Sequence, residues 1–323
     1  MNRTQLMLGG LLLVQVLLIL IFHSPFSGAT SGVESRPLLG VLAAVTPSQL
    51  EIRGSDDDVL TLVKQGGEWR VDELGGFPAD GQKVDDLLED LQQLTVRRPV
   101  VKSGRYHAAF KVTENEYEAR VRLWEESADE PEVDLIVGSS PNFRSSHVRL
   151  AGEDAVYEVR GLSPYDLRPD SSTWIDKNLV ETDETRVIGL TLTNESGSFE
   201  LEKQEGVWKV LSPAASAGKE LDAEKADALI RAASSIRLSD GAGPEDDTAH
   251  GLGRPAATLV LRLGPDGTED SSETELTVKV GGQVEDNESQ RYITRGGFGF
   301  TGTVWESSVS QLLEKTLDEL YGS

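Results

Sequence analysis

The chain has 323 residues, of which 38% are hydrophobic and 27% charged, and its formal net charge is −24. That length and mix suit two ordinary domains with hydrophobic cores and exclude a disordered chain. An acidic chain whose densest basic run is Arg97-Arg98 is expected to bind no nucleic acid, which requires Lys and Arg clusters that release counterions; the absence of cysteine excludes disulfides, zinc–thiolate sites, thiol catalysis and a lipid-attachment cysteine.

The first element is the apolar run Leu6 to Phe22, which carries one polar side chain, Gln15, and no charge. At 1.5 Å per residue it spans roughly 25 Å. Arg3 precedes it, and no further charge appears until Glu34. The positive-inside rule then leaves the N-terminus in the cytoplasm and the body outside. A cleaved signal peptide with Ser27-Gly28-Ala29 as cleavage site is the competing reading, but the run is long for a signal segment. The expectation is an anchor over residues 1–23, a single membrane-spanning helix. The Ser-, Gly- and Pro-bearing stretch that follows predicts a linker over 24–40.

The next element is written twice. Leu60 to Val71 (LTLVKQGGEWRV) and Phe199 to Val210 (FELEKQEGVWKV) share six of twelve residues at an offset of 139, including Trp69 and Trp208. Alternating apolar positions around a Gly-containing turn predict a β-hairpin. Asp80 and Asp222 then stand where helix N-caps belong. Val84, Leu87, Leu88, Leu91 and Leu94 follow one at helical spacing, and Ala226, Leu229, Ile230, Ala233 and Ile236 follow the other. Strands ending in Gly138 and Gly281 come next, and a last strand pair closes each copy. Helix-like segments at Thr173–Val180 and Ser307–Tyr321 end the copies. The predicted fold class is therefore α+β: an N-terminal transmembrane helix, then tandem repeated units over 41–182 and 183–323 with mostly antiparallel sheets.

With Trp69-Arg-Val71, Val84 to Leu88, Val137-Gly138, Tyr157-Glu-Val159 and Trp174-Ile-Asp-Lys-Asn-Leu179 in view, the chain resembles the bacterial family catalogued as domain of unknown function 4340. The resemblance covers nearly the whole chain through short, mostly structural motifs. It implies an accessory envelope role, because members of the family typically accompany ABC-type transport components of the gliding-motility auxiliary kind. The second copy departs from the pattern: Trp305 stands where the first has Tyr157, and no WID segment closes it. No site residue is carried over.

Chemistry-bearing patterns are sparse. Ser216-Ala-Gly-Lys219 matches S-x-x-K but lies in a Pro/Ala/Ser/Gly loop with no K-T-G partner. His23, His107, His147 and His250 form no i,i+4 pair. Asp56-Asp57-Asp58 and Glu245-Asp246-Asp247 lack the alternation of a calcium loop and read as solvated tips. Arg295-Gly-Gly-Phe-Gly-Phe300 reads as a hairpin with aromatic residues rather than an RNA-binding element. Asn194-Glu-Ser196 and Asn287-Glu-Ser289 fit a glycosylation triplet that is common by chance. The expectation is no enzyme, cofactor or metal site, with Trp69, Trp208, Asp80, Asp222, Gly138 and Gly281 as structural repeat markers. The favoured role is a non-enzymatic, membrane-anchored, extracytoplasmic accessory subunit with protein partners. An envelope glycan- or peptide-binding module on exposed tryptophans is the alternative, and a hydrolase a further one.

Overall fold

A computed structural model describes residues 35–213, 219–265 and 273–322. The expected anchor over 1–23, residues 24–34 of the expected linker and Ser216 of the S-x-x-K match lie outside them. Alternation of apolar and polar residues dominates the described chain, and strands follow it. The first half holds β1 (Arg36–Pro37), β2 (Gln49–Gly54), β3 (Val59–Gln65), β4 (Glu68–Val71), β5 (Phe77–Pro78), helix α1 (Gly81–Gln93), β6 (Thr95–Val96), β7 (Ala119–Trp124), β8 (Val133–Val137), β9 (Ser145–Leu150) and β10 (Tyr157–Arg160). The second half holds β11 (Asn178–Glu181), β12 (Val187–Asn194), β13 (Gly197–Gln204), β14 (Val207–Ser212), helix α2 (Ala223–Ser234), β15 (Ser235–Arg237), β16 (Asp240–Pro244), β17 (Ala257–Leu263), β18 (Thr274–Val284), β19 (Asn287–Arg295), β20 (Phe300–Trp305) and helix α3 (Ser310–Glu314).

Two eight-stranded antiparallel sheets result, ordered β10-β9-β8-β7-β2-β3-β4-β5 and β14-β13-β12-β17-β18-β19-β20-β16. Seven strands keep the same order in both, and each sheet adds one strand of its own, β5 or β16. The short pairs β1–β6 and β11–β15 flank the sheets in the same way. In each sheet a tight hairpin pairs the Lys and Trp of the duplicated octapeptide, Lys64 with Trp69 and Lys203 with Trp208. The two turn residues have positive φ, Gly66 and Gly67 in one copy and Glu205 and Gly206 in the other, as a type I′ hairpin turn requires.

One apolar core runs through both halves. Leu50, Ile52, Leu60 and Leu62 of the first sheet are buried in it with Val84, Leu87 and Leu91 of α1. Leu190, Leu192 and Leu201 of the second are buried with Leu229 and Ile230 of α2. The halves meet where β5 faces β16: Phe77 packs edge-on against Phe298 and Phe300, with ring centroids 5.5 and 5.3 Å away.

The predicted α+β class with a membrane helix needs correction, because the described chain is mostly antiparallel sheet. Its α-helix is confined to α1, α2 and the single turn α3. No helix among the described residues is long and apolar enough to cross a membrane. Side-chain hydrogen bonds account for the departure of both closing segments from the expected helix. The Asp176 carboxylate accepts the Asn178 amide, a local bond that competes with helix, and Leu179 and Val180 enter β11 instead. The Asn194 amide group donates to the carbonyls of Leu312 and Lys315, at the C-terminal end of α3, where a helix leaves its carbonyls without partners.

Candidate functional site

The repeat markers are buried framework. Trp69 is 4% exposed and Trp208 7%; Trp69 Nε1 donates to Asp85 of α1 at 3.3 Å, seating the hairpin on its helix. Burying an aromatic of this size is worth about 2–3 kcal/mol. Neither ring can serve as an exposed ligand platform. Asp80 caps α1 by accepting the Lys83 amide at 3.1 Å, and Asp222 caps α2 by accepting the Glu224 and Lys225 amides.

Each cap is latched from behind by a later segment. Asp80 N donates to Trp174 O at 2.7 Å and Lys83 Nζ to Thr173 O at 2.7 Å. In the second copy Asp222 N donates to Leu320 O at 2.8 Å and Lys225 Nζ to Tyr321 O at 2.8 Å. Leu320-Tyr321 therefore does for α2 what Thr173-Trp174 does for α1, without the WID residues. Burial lowers the Lys83 ammonium from its ordinary value, and nearby Asp80 opposes that shift.

Gly138 and Gly281 mark a close approach of main chain. An added Cβ at Gly138 would stand 2.1 Å from Phe110 O, and at Gly281 2.2 Å from His250 O. The next amide in each case, Ser139 N or Gly282 N, donates to that same carbonyl at 2.9 Å. A loop crossing the outer sheet face is thus pinned at the equivalent strand in both copies. In the first, residues 97–118 form this loop and cover a small second core of Val112, Ile136 and Val156.

The pinned loop also shapes one end of the first sheet. Gly54 pairs with Ala119, Ala119 with Val137, and Arg160 with Ser145, so loops 55–58, 111–118, 138–144 and 161–171 all leave the first sheet at one end. Two clefts of about 500 and 510 Å³ open there and meet at Ser55 and Glu118. A chain of alternating charges floors the first. Asp134 holds Arg120 in a two-pronged pair at 2.7 Å, Glu114 bridges Arg120 and Arg149 at 3.0 and 2.7 Å, and Arg122 reaches Glu51 at 3.1 Å. The Arg149 hydrogen bond holds the Glu114 carboxyl below its usual value, and the Asp134 bond raises Arg120. The second sheet has an equivalent cleft of about 510 Å³ between Asn194, Arg254 and Gly281. Its floor differs: Thr258 stands where the first sheet has Arg120, and Thr191 pairs with Val260 where Glu51 pairs with Arg122.

At the rim of the first sheet's loop end two aromatic rings stand in solvent. Phe143 is 85% exposed and Tyr165 68%. Each carries an arginine on its ring, Arg144 at 5.2 Å and Arg168 at 4.0 Å. The Gly161 amide donates to Arg144 O at 3.4 Å, tying the two loops together. Neither arginine forms an ion pair among the described residues, and no sequence argument singled out these four side chains. Pro141 and Pro164 beside the rings, read as loop signals, were the available hint.

The remaining candidates disperse. His147 bonds Ser139 at 3.1 Å, His250 stacks on Tyr292 with centroids 4.3 Å apart, and His107 contacts Asp154 O at 3.1 Å; His23 lies outside the described residues. Among the described residues, no three of His, Asp and Glu gather in a metal-holding group. Asp56 and Asp58 line the second cleft, and Phe298 and Phe300 of the Gly-rich motif cement the two halves. Compared with known proteins, the chain matches the profile described as Domain of unknown function (DUF4340) over residues 69–255. No curated protein and no solved structure matches it.

Proposed function

This chain belongs to the DUF4340 family, and on that premise we propose that it is an extracytoplasmic accessory subunit that docks a protein partner in an envelope complex of the ABC-transport or gliding-motility kind. The observation that carries the reading is the pair of exposed aromatic–arginine contacts, Phe143 with Arg144 and Tyr165 with Arg168, on tethered loops at one sheet end. Aromatic and arginine side chains are the residue types that concentrate binding energy at protein interfaces. Exposing two large rings serves no folding purpose, because neither ring joins an apolar core. Support for the compartment comes from the sequence: the uncharged apolar run Leu6 to Phe22 behind Arg3 has the character of an export segment.

The partner would meet a mixed-charge floor, with Arg120, Glu114 and Lys111 within the adjoining cleft. That floor favours a polar, charge-bearing segment over a greasy one. The test is to place a photo-crosslinking residue at position 143 or 165 of the full chain in its host and to identify what it captures. The expected product is a discrete adduct with an envelope transport component, and co-purification of that component weakened roughly 30-fold by Phe143→Ala with Tyr165→Ala. Capture of nothing above background at both positions, or unchanged co-purification of the double variant, would overturn the reading.

A further inference from the structure

A second surface, beside the strand end where β10 leaves the first sheet, goes beyond the docking role. Ser35, the first described residue, sits at a hollow of about 450 Å³ that is bounded by Arg97, Arg98 and Arg160. Strand pairing assembles it: β1 pairs with β6, which delivers Arg97 and Arg98 directly after it, and β10 ends in Arg160. Arg36 adjoins them, fixed by a 2.9 Å bond from its guanidinium to the Tyr157 hydroxyl and a ring contact of 5.6 Å.

Two facts define the character of this cluster. The chain has 55 acidic residues against 31 Lys and Arg, so carboxylates are plentiful. Arg120, Arg122, Arg149, Arg262 and Arg291 are each in an ion pair. Arg97, Arg98 and Arg160 are exposed and form no ion pair among the described residues; Glu158 is the carboxylate that shares their hollow. Screening confines electrostatic influence to about 8 Å at physiological salt, so acids elsewhere on the body do not cancel the patch. The position is the second fact. Twelve residues separate Ser35 from Phe22, the end of the apolar run, a reach of at most about 40 Å. The basic patch lies at the root of the most lipophilic stretch of the chain.

We propose that Arg97, Arg98 and Arg160, with Arg36 beside them, dock this face of the body on the phosphates of an anionic bilayer surface. Guanidinium groups match phosphate oxygens two at a time, and basic residues beside a membrane gain from its negative surface potential. The docking would orient the body, holding one end of the first sheet toward lipid.

The chain has no cysteine, so Gln93→Cys, at the edge of the hollow, gives the full-length protein a single attachment point for an environment-sensitive fluorophore. The protein is reconstituted in vesicles of phosphatidylglycerol with phosphatidylcholine and in vesicles of phosphatidylcholine alone. In the anionic vesicles the label is expected to shift to the blue and to be shielded from an aqueous quencher. Adding about 0.5 M NaCl abolishes the shielding. Arg97→Gln, Arg98→Gln and Arg160→Gln together lower the docked-to-undocked ratio roughly 100-fold, while the matching Arg→Lys variant keeps most of it. Unfolding midpoints of the variants confirm that these exposed changes leave the fold intact. Equal shielding in the neutral vesicles, or shielding that survives the triple Gln variant, would overturn the proposal. So would the same shift produced by inorganic phosphate without vesicles, which would assign the patch to a free anion. None of these outcomes depends on what the crosslinker at positions 143 and 165 captures.

Discussion

At the scale of single residues, Gly138 and Gly281 carry the tightest constraint. Their main chain takes an ordinary strand conformation, so what forbids a side chain is the carbonyl of Phe110 or His250 on top of them. Gly138→Ala is expected to destabilise by about 1–3 kcal/mol or more, because the pinned loop must lift or the strand must bend. Gly81→Ala, with nothing within 4 Å of its added Cβ, is the control and should leave stability level or slightly higher; urea unfolding midpoints of both compare them. The sequence marks these glycines only as strand-ending residues that recur. Their reason is invisible there, since the opposing carbonyl arrives from a loop 28 residues earlier in the first copy. Phe143 and Tyr165 were harder still. A lone aromatic between polar neighbours looks the same in sequence whether it faces a core or solvent.

At the scale of elements, legibility followed periodicity. The hairpins, α1, α2 and their Asp caps could be read because apolar spacing and turn residues agree with the fold at every position. The closing segments misled for the opposite reason. Thr173–Val180 and Ser307–Tyr321 have helix-like apolar spacing, yet the Asp176 carboxylate and the Asn194 amide group engage their backbone locally or from a distant strand. Side chains from outside a segment do not appear in its pattern. The same blindness hid the loop end of the first sheet, whose charge chain draws Glu51, Glu114, Arg120, Asp134 and Arg149 from four strands and a loop. Loop 97–118 has weak periodicity of its own, and it is this loop that roofs the outer face and lines the cleft.

At the scale of the whole molecule, the junction between halves combines an aromatic seam with one ill-placed acid. Asp240 of β16 lies part-buried against Ser171, whose hydroxyl is 3.5 Å from the carboxylate. Burial pushes the Asp240 carboxyl above its ordinary value, with the Gly241 amide opposing and Asp170 adding to the shift. A folded-state pKa raised above the unfolded one means that the stabilising share of this group is present at low pH and is lost as pH rises through the folded value. Asp240→Asn is therefore expected to raise the melting temperature at pH 7 and to lose that advantage near pH 3, a crossover that calorimetry across pH would read directly; an equal shift at both pH values would refute it. The two cap latches differ in a related way. Thr173-Trp174 runs within a few residues into β11, which is paired with β15 in a two-stranded sheet, whereas Leu320-Tyr321 enters no strand among the described residues. Releasing the first latch strains that two-stranded pair, while releasing the second disturbs no strand among the described residues. In hydrogen exchange the Asp222 amide should accordingly trade its proton for deuterium well before the Asp80 amide, although both donate to a carbonyl at nearly the same distance. Two bonds of the same length would then differ in lifetime through the chain attached to their acceptors.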